Sequence, residues 1–88
     1  MTENQFSDFV GAHRWTFAKT MPQNPHEWLA RKAVPDADFV AAVLFIRANG
    51  YTKMFGRKGY VCFNLGPHRY WTMGNPMSDT TIINRAVN

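Results

Sequence analysis

Cysteine, acidic residues and long apolar runs are what this sequence has least of. Cys62 is the only cysteine, so neither an internal disulfide nor a thiolate zinc cage can form. Nothing in the local alternation Tyr60-Val61-Cys62-Phe63 marks it as a nucleophile, and a small buried hydrophobe is its expected role. The longest apolar run, Ala37 to Ile46, is broken by Asp38 and is too short to cross a bilayer. Residues 1–12 show neither a basic n-region nor an apolar h-region, and no Asn-x-Ser/Thr acceptor occurs. These absences predict a soluble, cytoplasmic protein without membrane association. His13, His26 and His68 are far apart, with no i, i+4 pair and no carboxylate cluster, so neither a metal nor a cofactor is expected. A glycine-rich phosphate loop is also missing, because Gly56-Arg57-Lys58-Gly59 lacks the residues that would have to follow and reads as a turn.

The scarcity of acid is local. All six acids lie at Glu3, Asp8, Glu27, Asp36, Asp38 and Asp79, while Arg47, Lys53, Arg57, Lys58 and Arg69 fall in the acid-free stretch between Phe39 and Ser78. The formal net charge of +4 is therefore concentrated, and a block of one sign predicts a positive face that attracts nucleotide, nucleic acid or an acidic protein. Eighty-eight residues make a single domain. A chain of this size hides only about 60–65% of its unfolded surface, so its core must be rich in large side chains. Seven Phe, three Trp and three Tyr supply them.

Thr2 followed by Gln5 has the form of a capping box ahead of Phe6, Phe9 and Val10, which predicts a short helix over 2–10. Arg14 to Thr20 alternates as a strand does, with Trp15 and Phe17 on one side. Asn24 as N-cap, Pro25 at the first helical position and Glu27 in the first turn predict a short helix over 26–32, with an extended conformation as the alternative. Pro35–Asn49 is the clearest helix, with Phe39, Val40, Val43, Leu44 and Arg47 on one face and Asn49-Gly50 as its stop. Strands are expected over Tyr51–Phe55, Tyr60–Leu65 and Arg69–Met73, joined by Gly56–Gly59 and by Gly66-Pro67-His68. Gly74-Asn75-Pro76 ends the last of these, and Ser78 or Asp79 would cap a final helix through Val87. The sum is an α+β domain with an antiparallel sheet of about four strands, helices packed on one face, and the first strand joining the three-strand meander.

Several side chains carry candidate chemistry. His26, near a helix N-terminus and five residues from Arg31, would pair a proton carrier with a fixed cation, as phosphoryl chemistry needs. His68 offers a second imidazole, although neither histidine sits in the His-x-Ser/Thr pattern of two-histidine phosphoesterases. Tyr70 and Trp71 beside Arg69 resemble a stacking platform for a base. Strand alternation sends Tyr70 and Thr72 to one side and Trp71 and Met73 to the other, with the latter pair expected in the core. On a helix, Thr81, Asn84 and Arg85 would share one face and offer hydroxyl, amide and guanidinium to a phosphate.

Three blocks together, Phe17-Ala18-Lys19-Thr20-Met21-Pro22, Pro25-His26-Glu27-Trp28 and Tyr70-Trp71-Thr72-Met73-Gly74 with Thr81-Ile82-Ile83-Asn84-Arg85-Ala86, resemble a family of small, mostly uncharacterised proteins of bacteria, phages and mobile elements. The resemblance spans residues 15–86. Trp28 stands where that family's block has Tyr, which argues against a role needing a phenol there. A phage or mobile-element setting implies a counter-defence role, without specifying an activity.

The sequence thus predicts a small module that binds a phosphate-bearing ligand, nucleotide or nucleic acid. Lys19, Arg31, Arg69 and Arg85 would supply charge, Trp28 or Tyr70 would stack, and Thr81 and Asn84 would donate hydrogen bonds. Two alternatives accompany it: a metal-independent phosphodiesterase or nuclease using His26 and Arg31, and an inhibitor or adaptor that docks on an acidic protein.

Overall fold

The Thr2 hydroxyl accepts from the Gln5 backbone N–H at 3.2 Å, and the Gln5 side chain accepts from the Thr2 N–H at 2.8 Å. This reciprocal box starts helix α1 (Glu3–Ala12), which buries Phe6, Phe9 and Val10. The computed structural model describes residues 1–18 and 25–87. Lys19 and the expected cap Asn24 lie outside the described residues.

A single 3-10 turn (Arg31–Ala33) leads to helix α2 (Asp36–Asn49), with Asp36 and Asp38 in its first turn and Arg47 in its last, as the helix dipole favours. Its buried stripe is Phe39, Ala42, Val43 and Ile46, with Phe45 beside it. The stripe is rotated from the expected one, and Leu44 is left 51% exposed. Ala42 permits close approach to the sheet, whereas most of α2 is apolar and hydropathy alone does not choose its inner side.

Six strands form one antiparallel sheet in the order β1-β2-β6-β5-β4-β3, with β1 at Thr16–Ala18, β2 at His26–Ala30, β3 at Tyr51–Phe55, β4 at Lys58–Leu65, β5 at His68–Thr72 and β6 at Ile82–Ala86. The hairpins β3–β4 and β4–β5 close through two residues each, opposite Phe55↔Lys58 and Leu65↔His68. Gly56 and Gly66 occupy their first loop positions with φ of 62° and 57°, the left-handed backbone that a type II′ turn requires there.

The α+β class with helices on one face stands, but the sheet has six strands and not about four. β6 replaces an expected helix, and β2 takes the extended alternative to the helix expected over 26–32. Residues 26–30 are β2, and the segment expected to be helical to Val87 contains β6. Each is held by a neighbour distant in sequence, since Leu29 pairs with Ile83 and Thr72 with Ile83. Local capping signals at Pro25 and Ser78 do not register such partners. The first strand also does not join the meander, because β2 and β6 stand between them.

One face of the sheet is covered by the helices. It presents Leu29, Ile83, Tyr70, Thr72, Val61 and Phe63, which the strand register places on the same side. Phe6 from α1 is fully buried and meets Tyr70 and Phe63 edge-on, with ring centroids 5.2 and 5.4 Å away. Phe45 from α2 lies 5.0 Å from Phe63. Burying one such phenylalanine contributes roughly 2–3 kcal/mol. The expected alternation in β5 is inverted: Tyr70 and Thr72 are each 2% exposed in the core, whereas Trp71 is half-buried on the far side and Met73 is 46% exposed.

Candidate functional site

The face of the sheet without helices carries the residues of the opposite parity. Cross-strand register aligns Thr16, Trp28, Asn84, Trp71, Cys62 and Tyr51 in one row across all six strands. Large aromatic side chains thus alternate with smaller residues: Trp28 on β2, Trp71 on β5 and Tyr51 on β3 are each separated by one intervening strand. Neighbouring strands are about 4.8 Å apart, so adjacent aromatic positions in the row are roughly 10 Å apart. Trp28 and Trp71 are half-buried and Tyr51 is 45% exposed. His26 stands beside the row, its ring 5.7 Å from that of Trp71.

Charge on this face has one sign. Lys53 pairs in register with Tyr60, and Arg69 with Asn64, on the same side as Cys62. Burial pushes the Cys62 thiol pKa above its ordinary value, while the charges of Arg69 and Lys53 and a hydrogen bond from Tyr51 oppose that rise. The three opposing groups therefore converge on Cys62 from around the row. Among the described residues, no strand position of this face is acidic.

Asn84 is the polar centre of the row. It is 7% exposed, on β6, with Trp28 and Trp71 as its register neighbours. Among the described residues its side chain has no hydrogen-bond partner. Nor are its amide atoms among the sealed, partnerless ones, and the register places the side chain on the helix-free side.

The remaining expected site residues do not join this group. Arg85 points to the helical face, where its Nε lies 2.5 Å from Glu27 Oε2 and its guanidinium sits 4.4 Å from the Trp15 ring centroid. Adjacent strand residues face opposite ways, so Asn84 and Arg85 cannot share the helical face expected of them. Tyr70, also on the helical side, is core. Thr81 is 2% exposed and donates its hydroxyl to the Asn75 carbonyl, closing the loop between β5 and β6. Arg31 holds that loop from the far end of β2. It donates to Asp36 at 3.1 Å and to the Met77 carbonyl, and lies 3.4 Å from Asp79. Five residues of extended chain place Arg31 about 16 Å from His26. His68 and His26 lie on opposite faces of the sheet, because His68 pairs with Leu65 on the helical side.

The expected site thus divides. His26, Trp28, Arg69 and Asn84 share the helix-free face, whereas Arg31, Tyr70, Thr81 and Arg85 serve the fold. The sequence predicts Trp71 in the core, counts Lys53 only as part of the general basic block, and gives Tyr51 no role beyond opening a strand. Their period-two spacing was visible, but the side of the sheet that the helices cover was not.

A shallow groove of about 570 Å³ lies on the other side of the molecule, lined by Met1, Gln5, Asp8, Phe9, His13 and Asp38. Its carboxylates make it a poor place for a phosphate. No group of His, Cys, Asp and Glu suited to a metal ion occurs among the described residues. No protein-family model, curated protein or solved structure matches the chain.

Proposed function

We propose that this domain binds nucleic acid across the helix-free face of its sheet. The observation that carries the reading is the row Trp28, Asn84, Trp71, Cys62 and Tyr51, flanked by Lys53 and Arg69 on a face without acid. Aromatic rings at regular intervals across a sheet give bases surfaces to stack on, and the cations attract the phosphates between them. A free nucleotide is the weaker fit. A phosphate pocket would need Arg31, Thr81 and Arg85 to converge, and each is committed elsewhere.

Hydrolysis forms no part of the proposal. Two histidines on opposite faces cannot flank one phosphodiester, and the guanidinium nearest in sequence to His26 is engaged by Asp36 and Asp79.

The test is equilibrium binding of a fluorescently labelled oligonucleotide over a salt series. Affinity should fall linearly on logarithmic axes as salt rises, because each neutralised phosphate releases its counterions. Absence of binding at low salt overturns the proposal, and a stable protein partner captured equally well after nuclease treatment would favour docking on a protein instead.

A further inference from the structure

We infer that the ligand of this face is single-stranded and that Asn84 reads the edge of a base stacked on Trp28 or Trp71. The inference rests on the nucleic-acid reading above and adds both the strandedness of the ligand and a specificity-determining residue.

Three observations converge on Asn84. It occupies β6 in the middle of the sheet, where each register neighbour on the open side is an indole. More than nine-tenths of the residue is buried, yet its side chain has no hydrogen-bond partner among the described residues. The amide meets no polar group among the described residues and adds nothing to the apolar packing of the two indoles, so it is left to face whatever lies on this side of the sheet. The contrast with Thr72 is instructive. Its Oγ1 is also partnerless but is sealed beneath the helices, whereas the Asn84 amide remains open toward the helix-free face.

The amide presents a donor and an acceptor side by side, the complement of a pair of polar atoms on a base edge. Trp28 and Trp71 stand one strand to either side, about 5 Å away in the sheet. A base lying on either ring therefore brings its edge beside Asn84. Only an unpaired base has both its face and its hydrogen-bonding edge free for this arrangement, since duplex stacking and pairing occupy both. The absence of acids on the face leaves the phosphates of such a strand unopposed, with Arg69 and Lys53 to receive them.

The deciding experiment measures wild type and Asn84→Ala against single-stranded dA, dC and dT homopolymers, an abasic single strand and a duplex at one salt concentration. Thermal unfolding of both proteins runs alongside. Wild type should prefer single strands to duplex and bind the abasic strand least. One homopolymer should be favoured by about tenfold, the yield of one well-formed hydrogen-bonding contact. Asn84→Ala should bind all three homopolymers alike while keeping its affinity for the abasic strand. Equal homopolymer affinities in wild type overturn the inference, as do duplex binding as tight as single-strand binding or an unchanged preference in the variant. If Asn84→Ala does not fold, the wild-type comparison with the abasic strand and the homopolymers still decides. Failure of every polynucleotide to bind removes the nucleic-acid reading itself, and so is distinct from failure of Asn84 to discriminate.

Discussion

Trp28 and Trp71 are brought to either side of one residue by strands that lie forty-three positions apart in sequence, because both pair with Asn84. Neither indole is needed by the core on the opposite face, which is filled by Phe6, Phe39, Tyr70 and Ile83. Replacing either indole should therefore cost binding more than folding. Trp28→Ala and Trp71→Ala are each expected to weaken single-strand affinity by about 1–3 kcal/mol, the range for one base–aromatic stack. The Phe variants should lose less. Fluorescence anisotropy, with circular dichroism as a check on folding, measures this.

Arg69 and Lys53 act as phosphate contacts in this account, so their effect should be electrostatic and independent of sequence. Arg69→Gln is expected to lower affinity for every single strand alike and to reduce the salt slope by about one unit. An unchanged slope would remove Arg69 from the interface.

Arg85 should behave in the opposite way. Its pair with Glu27 has side-chain exposures of only 19% and 26%, and the guanidinium also rests near Trp15. Breaking a buried ion pair costs about 3–5 kcal/mol, and at this partial exposure the loss in Arg85→Ala should be nearer 2–3 kcal/mol. Denaturant unfolding measures that loss. Binding by the folded fraction should hardly change, since Arg85 faces away from the ligand surface.

Thr72 provides a test of the core alone. Its hydroxyl is buried without a partner, so Thr72→Val should be neutral or stabilise the fold by about 1 kcal/mol. Thermal unfolding reports it, and a clear loss would mean that the hydroxyl has a partner in solution.

Cys62 is buried and its thiol pKa is raised by that burial. The folded state thus holds the thiol proton more tightly than the unfolded chain does. Its contribution to stability is fully present below the unfolded pKa and is lost as pH rises through the folded one. A thiol-reactive chromophore at neutral pH should label the native protein slowly and the denatured protein fast. Bound single strand should slow native labelling further, because the ligand covers the row in which Cys62 lies.

Much of the fold was legible in local sequence, and what was missed has a common physical cause. The Thr2–Gln5 box, the Asp36–Asn49 helix and the two Gly-led hairpins are short-range features whose partners lie within a few residues. β2 and β6 are different. They lie side by side in the interior of the sheet, and their pairing joins His26 to Ala86 and Ala30 to Ile82. Asn24-Pro25 and the Ser78–Thr81 cluster carry helix-start chemistry, and over 26–32 local sequence leaves the extended alternative open without selecting it. In the structure, Ser78 and Thr80 share a hydroxyl contact of 2.8 Å within a loop, and Thr81 closes that loop. The site suffered in the same way. His26, Trp28, Arg69 and Asn84 were singled out by residue type, but their gathering on one face depends on the register of β2, β6 and β5. The inversion at Tyr70 and Trp71 is subtler. Strand alternation separated the two rings correctly, and only the docking of α1 through Phe6 decided which became core.

The central claim can be tested through the three indole N–H signals of the nitrogen-15-labelled protein, observed by NMR as a single-stranded oligonucleotide is added. Trp15 is an internal reference, since its Nε1 donates to the Val10 carbonyl at 3.0 Å on the helical side. The account predicts that the Trp28 and Trp71 indole signals and the Asn84 side-chain amide shift together while the Trp15 signal stays in place. Shifts confined to the groove around Asp8, His13 and Asp38, or none at all, would contradict it.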